Sequence, residues 1–259
     1  MQKDHSHPHN RGVETQAQLR GWYRTPLGSA LEVAELEAIR EALGTLFGYH
    51  LLSVAPPWQA SPLDASRISH RWVMSSTAAG GAADFLGTAQ ALPVTTDSLD
   101  TIILPHTLEY ASHPHEVLRE VDRCLVPEGH VLIMGFNPYG LWGLWRLLYG
   151  WRRRIPWTGR FISQARLRDW LALLGFDTVS CRPVFFRPPS QRLANLQPLQ
   201  VLDRLARHNW PFPAAAYLLL ARKRVVGMTV LRPRWRPRRS LLAGGLIEPS
   251  PRSHSRKQS

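Results

Sequence analysis

Residues 87–138 read GTAQALPVTTDSLDTIILPHTLEYASHPHEVLREVDRCLVPEGHVLIMGFNP, and this stretch decides the fold. Its segment 99–104 is short, apolar and rich in β-formers, as is typical of a strand buried on both faces. Apolar residues then recur at helical spacing, at Val117, Leu118, Val121 and Leu125. Pro127 and Gly129 are predicted to end that helix before a second apolar run over residues 130–136. Strand, helix and strand in this order predict a parallel βαβ unit with a right-handed crossover.

Further elements are predicted on both sides of this unit. A helix with Ser29 as its N-cap would cover the sheet, since apolar residues recur from Leu31 to Leu46 at helical spacing. A second helix, over residues 166–175, would end at Gly175. Strands are predicted, in chain order, over residues 49–54, 71–74, 83–86, 99–104, 130–136, 176–186 and 214–224. Alternating strands and helices of this kind predict an α/β fold.

The length and composition fit one globular domain with appended ends. The chain has 259 residues, of which 44% are hydrophobic, enough for one sizeable core. We predict a disordered arm over residues 1–18, a domain over residues 19–231 and a disordered tail over residues 232–259. Within the domain, residues 138–165 are predicted to form an insertion that resembles a lid.

The C-terminal end carries most of the net charge of +13. Residues 222–259 contain eleven Lys or Arg and one acidic residue, Glu248. Its segment 232–239, RPRWRPRR, interleaves arginines with one indole that could stack on a base. Such segments bind phosphates without sequence preference, so weak nucleic-acid contact is one prediction. A solubilising tail is the other.

The cysteines and the N-terminus favour a cytoplasmic protein. Cys124 and Cys181 are far apart and have no ligand spacing, which is typical of core thiols in a reducing compartment. The first twelve residues are polar and lack the apolar segment of a secretory signal. The longest uncharged run, residues 131–145, is too short to span a bilayer, so we predict no transmembrane segment.

Three ordered motifs identify a family resemblance. They are G-x-A-x-x-L-P from Gly87, D-x-I-I-L-x-H-x-L-E from Asp100, and P-H-E-V-L-R-E-V-x-R-x-L-x-P-x-G-H from Pro114. Together they resemble the central half of a class I S-adenosylmethionine (SAM)-dependent methyltransferase of the type 11 branch. The resemblance implies a Rossmann-like fold: a mostly parallel twisted sheet with helices on both faces and an antiparallel last strand. It also implies SAM as the cofactor.

The sequence departs from the family at the three familiar cofactor contacts. The glycine-rich turn after the first strand is replaced by 53–58, SVAPPW, in which two prolines remove backbone donors. The acidic residue that ends the second strand in the family is Ser75 here, or Ser76 beside it. The family's Asp near the adenine is replaced by Thr88.

The resemblance nevertheless assigns candidate site residues position by position. Those predicted to contact the cofactor are Ala55, Ser75, Thr88, Ala89 and His106. His106 and Glu109 match the family's H-x-L-E positions after the fourth strand, where the acceptor and the methyl group would meet. His106 is a candidate general base, and a structural hydrogen-bonding role at the strand end is the alternative. The spacing of His106, Glu109, His113 and His115 spans a turn, so we predict no metal site.

The insertion at residues 138–157, PYGLWGLWRLLYGWRRRIPW, is the other distinctive segment. Two adjacent faces of its predicted helix are apolar, one with Trp142, Trp145 and Tyr149 and the other with Leu141, Leu144 and Leu148. An apolar, tryptophan-rich segment closed by three arginines has the composition of an interfacial membrane helix. A lid over the acceptor site is the alternative prediction, and the two are compatible.

We therefore predict a cytoplasmic or peripherally membrane-associated enzyme that transfers a methyl group from SAM to a small or amphipathic acceptor. The alternative is a catalytically inactive relative that keeps the fold as a binding or scaffold protein, on RNA or at a membrane surface. Its support is the missing glycine turn and the missing ribose carboxylate.

Overall fold

The computed structural model describes residues 8–54, 62–76, 83–149, 155–189 and 214–224. All of them belong to one compact unit that extends to Val225. The predicted tail, residues 232–259, lies outside the described residues.

The described helices alternate with strands as the sequence predicts. The helices are α1 (Pro8–Tyr23), α2 (Pro26–Leu43), α3 (Thr107–Tyr110), α4 (Pro114–Cys124), α5 (Leu141–Tyr149) and α6 (Gln164–Leu173). The strands are β1 (His50–Val54), β2 (His70–Ser75), β3 (Phe85–Leu86), β4 (Leu99–Pro105), β5 (Leu125–Phe136), β6 (Phe176–Val184) and β7 (Ala216–Lys223).

The strands form one sheet in the order β3-β2-β1-β4-β5-β7-β6. The pairs from β3 to β5 are parallel, whereas β7 is antiparallel to both β5 and β6. This is the predicted mostly parallel, Rossmann-like sheet with an antiparallel last strand, and the fold class is confirmed.

Helices cover both faces of the sheet because the central strands are apolar on both sides. Ile103 of β4 packs into the cluster that contains Leu31 and Leu43 of α2. Its neighbours Ile102 and Leu104 pack into the opposite cluster, with residues of α4 and α6. Successive strand side chains point to opposite faces, so one continuous apolar run serves two cores.

The structure corrects two predictions at the N-terminus. Residues 8–18, predicted as part of a disordered arm, belong to α1. Sequence reasoning missed this helix because its first turns are polar and its stability comes from tertiary contacts near its end, where Leu19 and Tyr23 are buried. The N-cap of α2 is Thr25 rather than Ser29: the Thr25 hydroxyl accepts from the amide of Gly28, and Pro26 supplies the first helical turn.

Candidate functional site

The candidate site lies at the carboxyl edge of the parallel strands. β1 ends at Val54, β2 at Ser75 and β4 at Pro105, and these strands are neighbours in the order β2-β1-β4. The direction in which strands are added to the sheet reverses between β1 and β4. In open α/β sheets, ligands bind in the crevice outside the strand ends at such a point. This crevice is therefore the candidate ligand site.

His106 follows β4 at this edge and lies between two carboxylates. The residue is only 1% exposed, and its backbone has a left-handed φ of 51°. Its Nε2 lies 2.8 Å from Oε1 of Glu35 on α2, and its Nδ1 lies 2.7 Å from Oε2 of Glu109 on α3. Burial by itself lowers the pKa of His106, but the two carboxylates outweigh it and raise the pKa to about 10. At neutral pH the ring is an imidazolium that donates from both nitrogens.

Two further groups complete this buried network. The Tyr23 hydroxyl of α1 donates to Oε2 of Glu35 at 2.8 Å, and the amide of Phe136, at the end of β5, donates to Oε1 of Glu109. Burial, with the Glu35 carboxylate beside it, raises the pKa of Tyr23 well above its usual value, so the hydroxyl stays protonated. Burial also raises the pKa of Glu109, and the adjacent His106 opposes that shift. The network joins α1, α2, α3 and β5 at the end of β4.

This geometry favours the structural role for His106 over the role of general base. An imidazolium with both N–H groups already donated has no lone pair with which to take a proton. The ring is also screened from the crevice by its burial among Tyr23 and Phe136, whose ring centroids lie 6.4 Å and 4.2 Å from its own. In this arrangement His106 fixes the turn after β4.

Two side chains of α1 reach the end of β2. Nη2 of Arg20 donates to Oγ of Ser75 at 3.3 Å, and the hydroxyl of Ser76 donates to Oε1 of Gln16. Ser75 itself is 1% exposed. Sequence reasoning missed Arg20 and Gln16 because the helix that contains them was not predicted. Arg20 is also 55 residues from Ser75, and Gln16 is 60 residues from Ser76. The Arg20 guanidinium thus lies beside Ser75, the position at which the resemblance leads us to expect an acidic residue.

The remaining predicted cofactor residues are Thr88, Ala89 and Ala55. Thr88 and Ala89 are half-buried in the turn after β3, which is closed by the amide of Ala91 donating to the carbonyl of Thr88 at 3.1 Å. Gly87 begins this turn in close contact with β2: an added Cβ there would lie 2.6 Å from Sδ of Met74. Ala55 lies outside the described residues.

The segment after β5 covers the same edge with aromatic rings. Trp142 of α5 is fully buried, and its Nε1 donates to the carbonyl of Arg187 at 2.9 Å. Its ring centroid lies 5.9 Å from that of Trp22, 5.6 Å from Phe136 and 5.3 Å from Trp157. Phe136 also contacts His106, so this aromatic cluster is continuous with the buried network.

The described ranges contain neither a metal-binding cluster nor a membrane-spanning helix. No group of three or more His, Cys, Asp or Glu side chains there could hold a metal ion. No helix of the described residues is long and apolar enough to cross a membrane.

Comparison with known proteins identifies the family. Residues 44–181 match the family model described as a methyltransferase domain. The uncharacterized protein YafS of Escherichia coli (strain K12) is 27% identical over 209 residues, which cover 81% of this chain and 82% of YafS. An uncharacterized protein of Mycobacterium tuberculosis is 27% identical over 189 residues, 65% of this chain and 60% of its own length.

Solved structures share the fold. A SAM-dependent methyltransferase of Thermotoga maritima superposes with a TM-score of 0.61 at 16% identity, covering 83% of this chain and 99% of that one. A SAM-dependent methyltransferase of Archaeoglobus fulgidus has a TM-score of 0.52 at 16% identity, covering 73% and 93%. Because the family match spans more than half of the sequence, the chain belongs to the family of methyltransferase domains.

Proposed function

We propose that this protein uses SAM to methylate a small or amphipathic acceptor at the carboxyl edge of its sheet. The observation that carries the proposal is that Ser75 ends β2 while Thr88 and His106 follow β3 and β4, three parallel strands of the same sheet. Ligand crevices of open α/β sheets are built from strand ends of this kind. The family match, which covers residues 44–181 from β1 into β6, supports the same edge.

The donor set at this edge suits a nucleoside ligand, although it is more neutral than in the family. In our proposal the ribose lies at the end of β2, where Arg20 is bonded to the buried Ser75, Thr88 and Ala89 border the adenine, and the methionine part lies beyond the end of β1 at Val54. The Arg20 guanidinium would donate hydrogen bonds to a ribose oxygen or to a carboxylate. Bound SAM would supply a methyl group activated on a sulfonium.

The protein's part in the transfer would be positioning and exclusion of water. Methyl transfer by in-line displacement depends more on alignment of the reactants than on an acid or base. His106, held between Glu35 and Glu109, would fix the turn after β4 against which the acceptor lies. The aromatic cluster around Trp142 would close the apolar side of the crevice, which is the lid-like role proposed for residues 138–165. An acceptor with apolar surface fits such a wall.

Titration calorimetry with SAM and with S-adenosylhomocysteine tests the proposal. We expect dissociation constants between about 100 μM and about 1 mM, because the two missing charged acceptors together remove about 3 kcal/mol or more from ordinary micromolar binding. No heat up to millimolar ligand would leave the inactive relative as the better description. If SAM binds, transfer of its labelled methyl group to the lipid fraction or to the small-molecule fraction of a cell extract would identify the acceptor class.

The arginine-rich tail and the compartment remain predictions. Nucleic-acid contact by residues 232–259 predicts RNA retention that falls steeply with salt. Equal retention after deletion of residues 232–259 would dismiss that role. The cytoplasmic location rests on the cysteine pattern and on the polar N-terminal sequence, and fractionation of cells that express the full chain would test it.

A further inference from the structure

Helix α5 presents an apolar face to solvent. Leu141, Leu144, Trp145 and Leu148 follow the i, i+3, i+4, i+7 spacing, which usually faces a protein core. Here these residues are 36%, 54%, 38% and 58% exposed, in that order, and the adjacent Leu147 is 81% exposed. A contiguous exposed patch of large apolar side chains marks an interaction surface.

The opposite side of the helix is fixed to the body of the protein, so the exposed face has a defined orientation. Trp142 is fully buried and donates to the carbonyl of Arg187. Gly143 packs so closely that an added Cβ would lie 1.8 Å from the carbonyl oxygen of Pro138. Nε of Arg146 donates to the carbonyl of Trp157 at 3.1 Å, and its guanidinium lies over the ring of Phe161.

The charge around this face selects the partner. Residues 138–161 contain five arginines and no acidic residue. The described Arg160 is exposed, and Arg146 borders the apolar face on the protein side. An exposed apolar helical face in a segment that carries arginines and no acidic residue is complementary in composition to an anionic phospholipid surface, where leucines enter the acyl boundary and arginines meet the headgroups.

A second copy of the chain fits this face less well. A helix of nine residues is only about 14 Å long, whereas a stable protein interface buries about 1,200–2,000 Å². The face is convex and short, and a membrane needs no complementary shape.

We propose that α5 docks this protein on an anionic membrane surface, lying in the interface with Leu144, Leu147 and Leu148 inserted. Since α5 follows β5 directly, docking there would bring the carboxyl edge of the sheet toward the lipid, where an amphipathic acceptor resides. That last consequence rests on the proposed function, whereas the docking itself does not.

Vesicle flotation of the full chain tests the docking without any activity assay. The probes are vesicles of phosphatidylcholine alone and vesicles that also contain phosphatidylglycerol, each at low salt and at high salt. We expect the wild type to float with the phosphatidylglycerol vesicles and to keep part of that binding at high salt, where contacts made by charge alone are screened. The variant Leu144→Gln/Leu147→Gln/Leu148→Gln should lose binding about tenfold or more.

The matched control is Leu173→Gln, which changes an 86% exposed leucine at the end of α6 in the same way. It should float like the wild type. Equal flotation of the triple variant and the wild type would overturn the proposal, since binding would then come from the basic tail. A second result would also overturn the proposal: the wild type does not float, and it self-associates in analytical ultracentrifugation whereas the triple variant does not. The face would then bind a second copy of the chain.

Discussion

Nε2 of His106 lies 2.8 Å from Oε1 of Glu35, a residue 71 positions earlier in the chain. The contact joins α2, which covers one face of the sheet, to the turn after β4, where the candidate site begins. Neither side chain is accessible to solvent. Removal of one partner from a buried pair leaves an uncompensated charge, which costs more than the pair itself contributes.

The raised pKa of His106 predicts a specific dependence of stability on pH. The folded-state pKa is about 10 and the unfolded value is about 6.5, so the folded state binds the proton more tightly. This contribution is complete below about pH 6.5 and is lost as pH rises through about 10, at up to about 1.4 kcal/mol per pH unit. Urea unfolding at intervals between pH 6.5 and pH 10 measures it.

The variant His106→Gln separates this effect from general alkaline sensitivity. We expect it to lower the free energy of unfolding at pH 7 by about 3 kcal/mol, because two buried carboxylates then face each other without the cation. Its free energy of unfolding should also vary less with pH over the same interval. The control is His113→Gln, which changes an exposed histidine whose side chain makes no capping hydrogen bond. Its free energy of unfolding should depend on pH as that of the wild type does. Identical profiles for His106→Gln and wild type would contradict the assignment.

Tyr23→Phe tests the donor on the other oxygen of Glu35. The hydroxyl donates at 2.8 Å in a fully buried environment, so its loss leaves a carboxylate oxygen without that bond. We expect a loss of about 1–3 kcal/mol in the free energy of unfolding. Tyr49→Phe, at a tyrosine that is 71% exposed, is the matched control and should change stability by less than about 0.5 kcal/mol. Equal effects of the two changes would contradict the hydrogen bond between Tyr23 and Glu35.

Arg20→Gln tests whether α1 takes part in cofactor binding. Because Arg20 is bonded to Ser75 at the predicted ribose position, its loss should weaken SAM binding about 3- to 10-fold in titration calorimetry. Arg24→Gln changes an exposed arginine just beyond the same helix and should leave the dissociation constant unaltered. A weakening of the same size in both variants would indicate a nonspecific effect of charge.

Gly143→Ala tests the fixed start of α5. The new Cβ would lie 1.8 Å from a backbone oxygen, so the helix or the Pro138 turn must shift, and we expect a loss of about 1–3 kcal/mol. Gly21→Ala is the comparison within α1, where an added Cβ meets nothing within 4 Å. It should instead stabilise the protein by about 0.5–1 kcal/mol through higher helix propensity. Thermal unfolding followed by circular dichroism should show a lower melting temperature for Gly143→Ala and a higher one for Gly21→Ala.

Much of the fold could be predicted because, in the segments around β4, α4 and β5, the local sequence pattern and the tertiary packing favour the same secondary structure. The apolar run at residues 99–104 became β4, and the motif from Pro114 became α4 followed by β5. The end of α4 differs: Leu125, predicted as helical, begins β5, and Pro127 and Gly129 lie inside that strand where its register with β4 shifts. A β-bulge satisfies a Pro-x-Gly sequence as well as a helix end does.

The candidate site could be predicted only in part. The motif residues Ser75, Thr88 and His106 were named in advance because the family places them after consecutive strands. The sequence did not identify Glu35, Tyr23 and Arg20 as site residues, because no spacing in the sequence relates them to the motif. Only packing of α1 and α2 on the sheet brings them to it.

The sequence alone determined which segments are strands and helices and in which order they join, because periodicity and turn residues act over a few neighbours. Only the tertiary structure decided that a polar N-terminal segment is a helix, that His106 is a buried cation, and that Trp142 faces inward while the leucines beside it face solvent. These outcomes depend on burial and on charges brought together from distant positions, which set pKa values and exposure and leave no trace in local spacing.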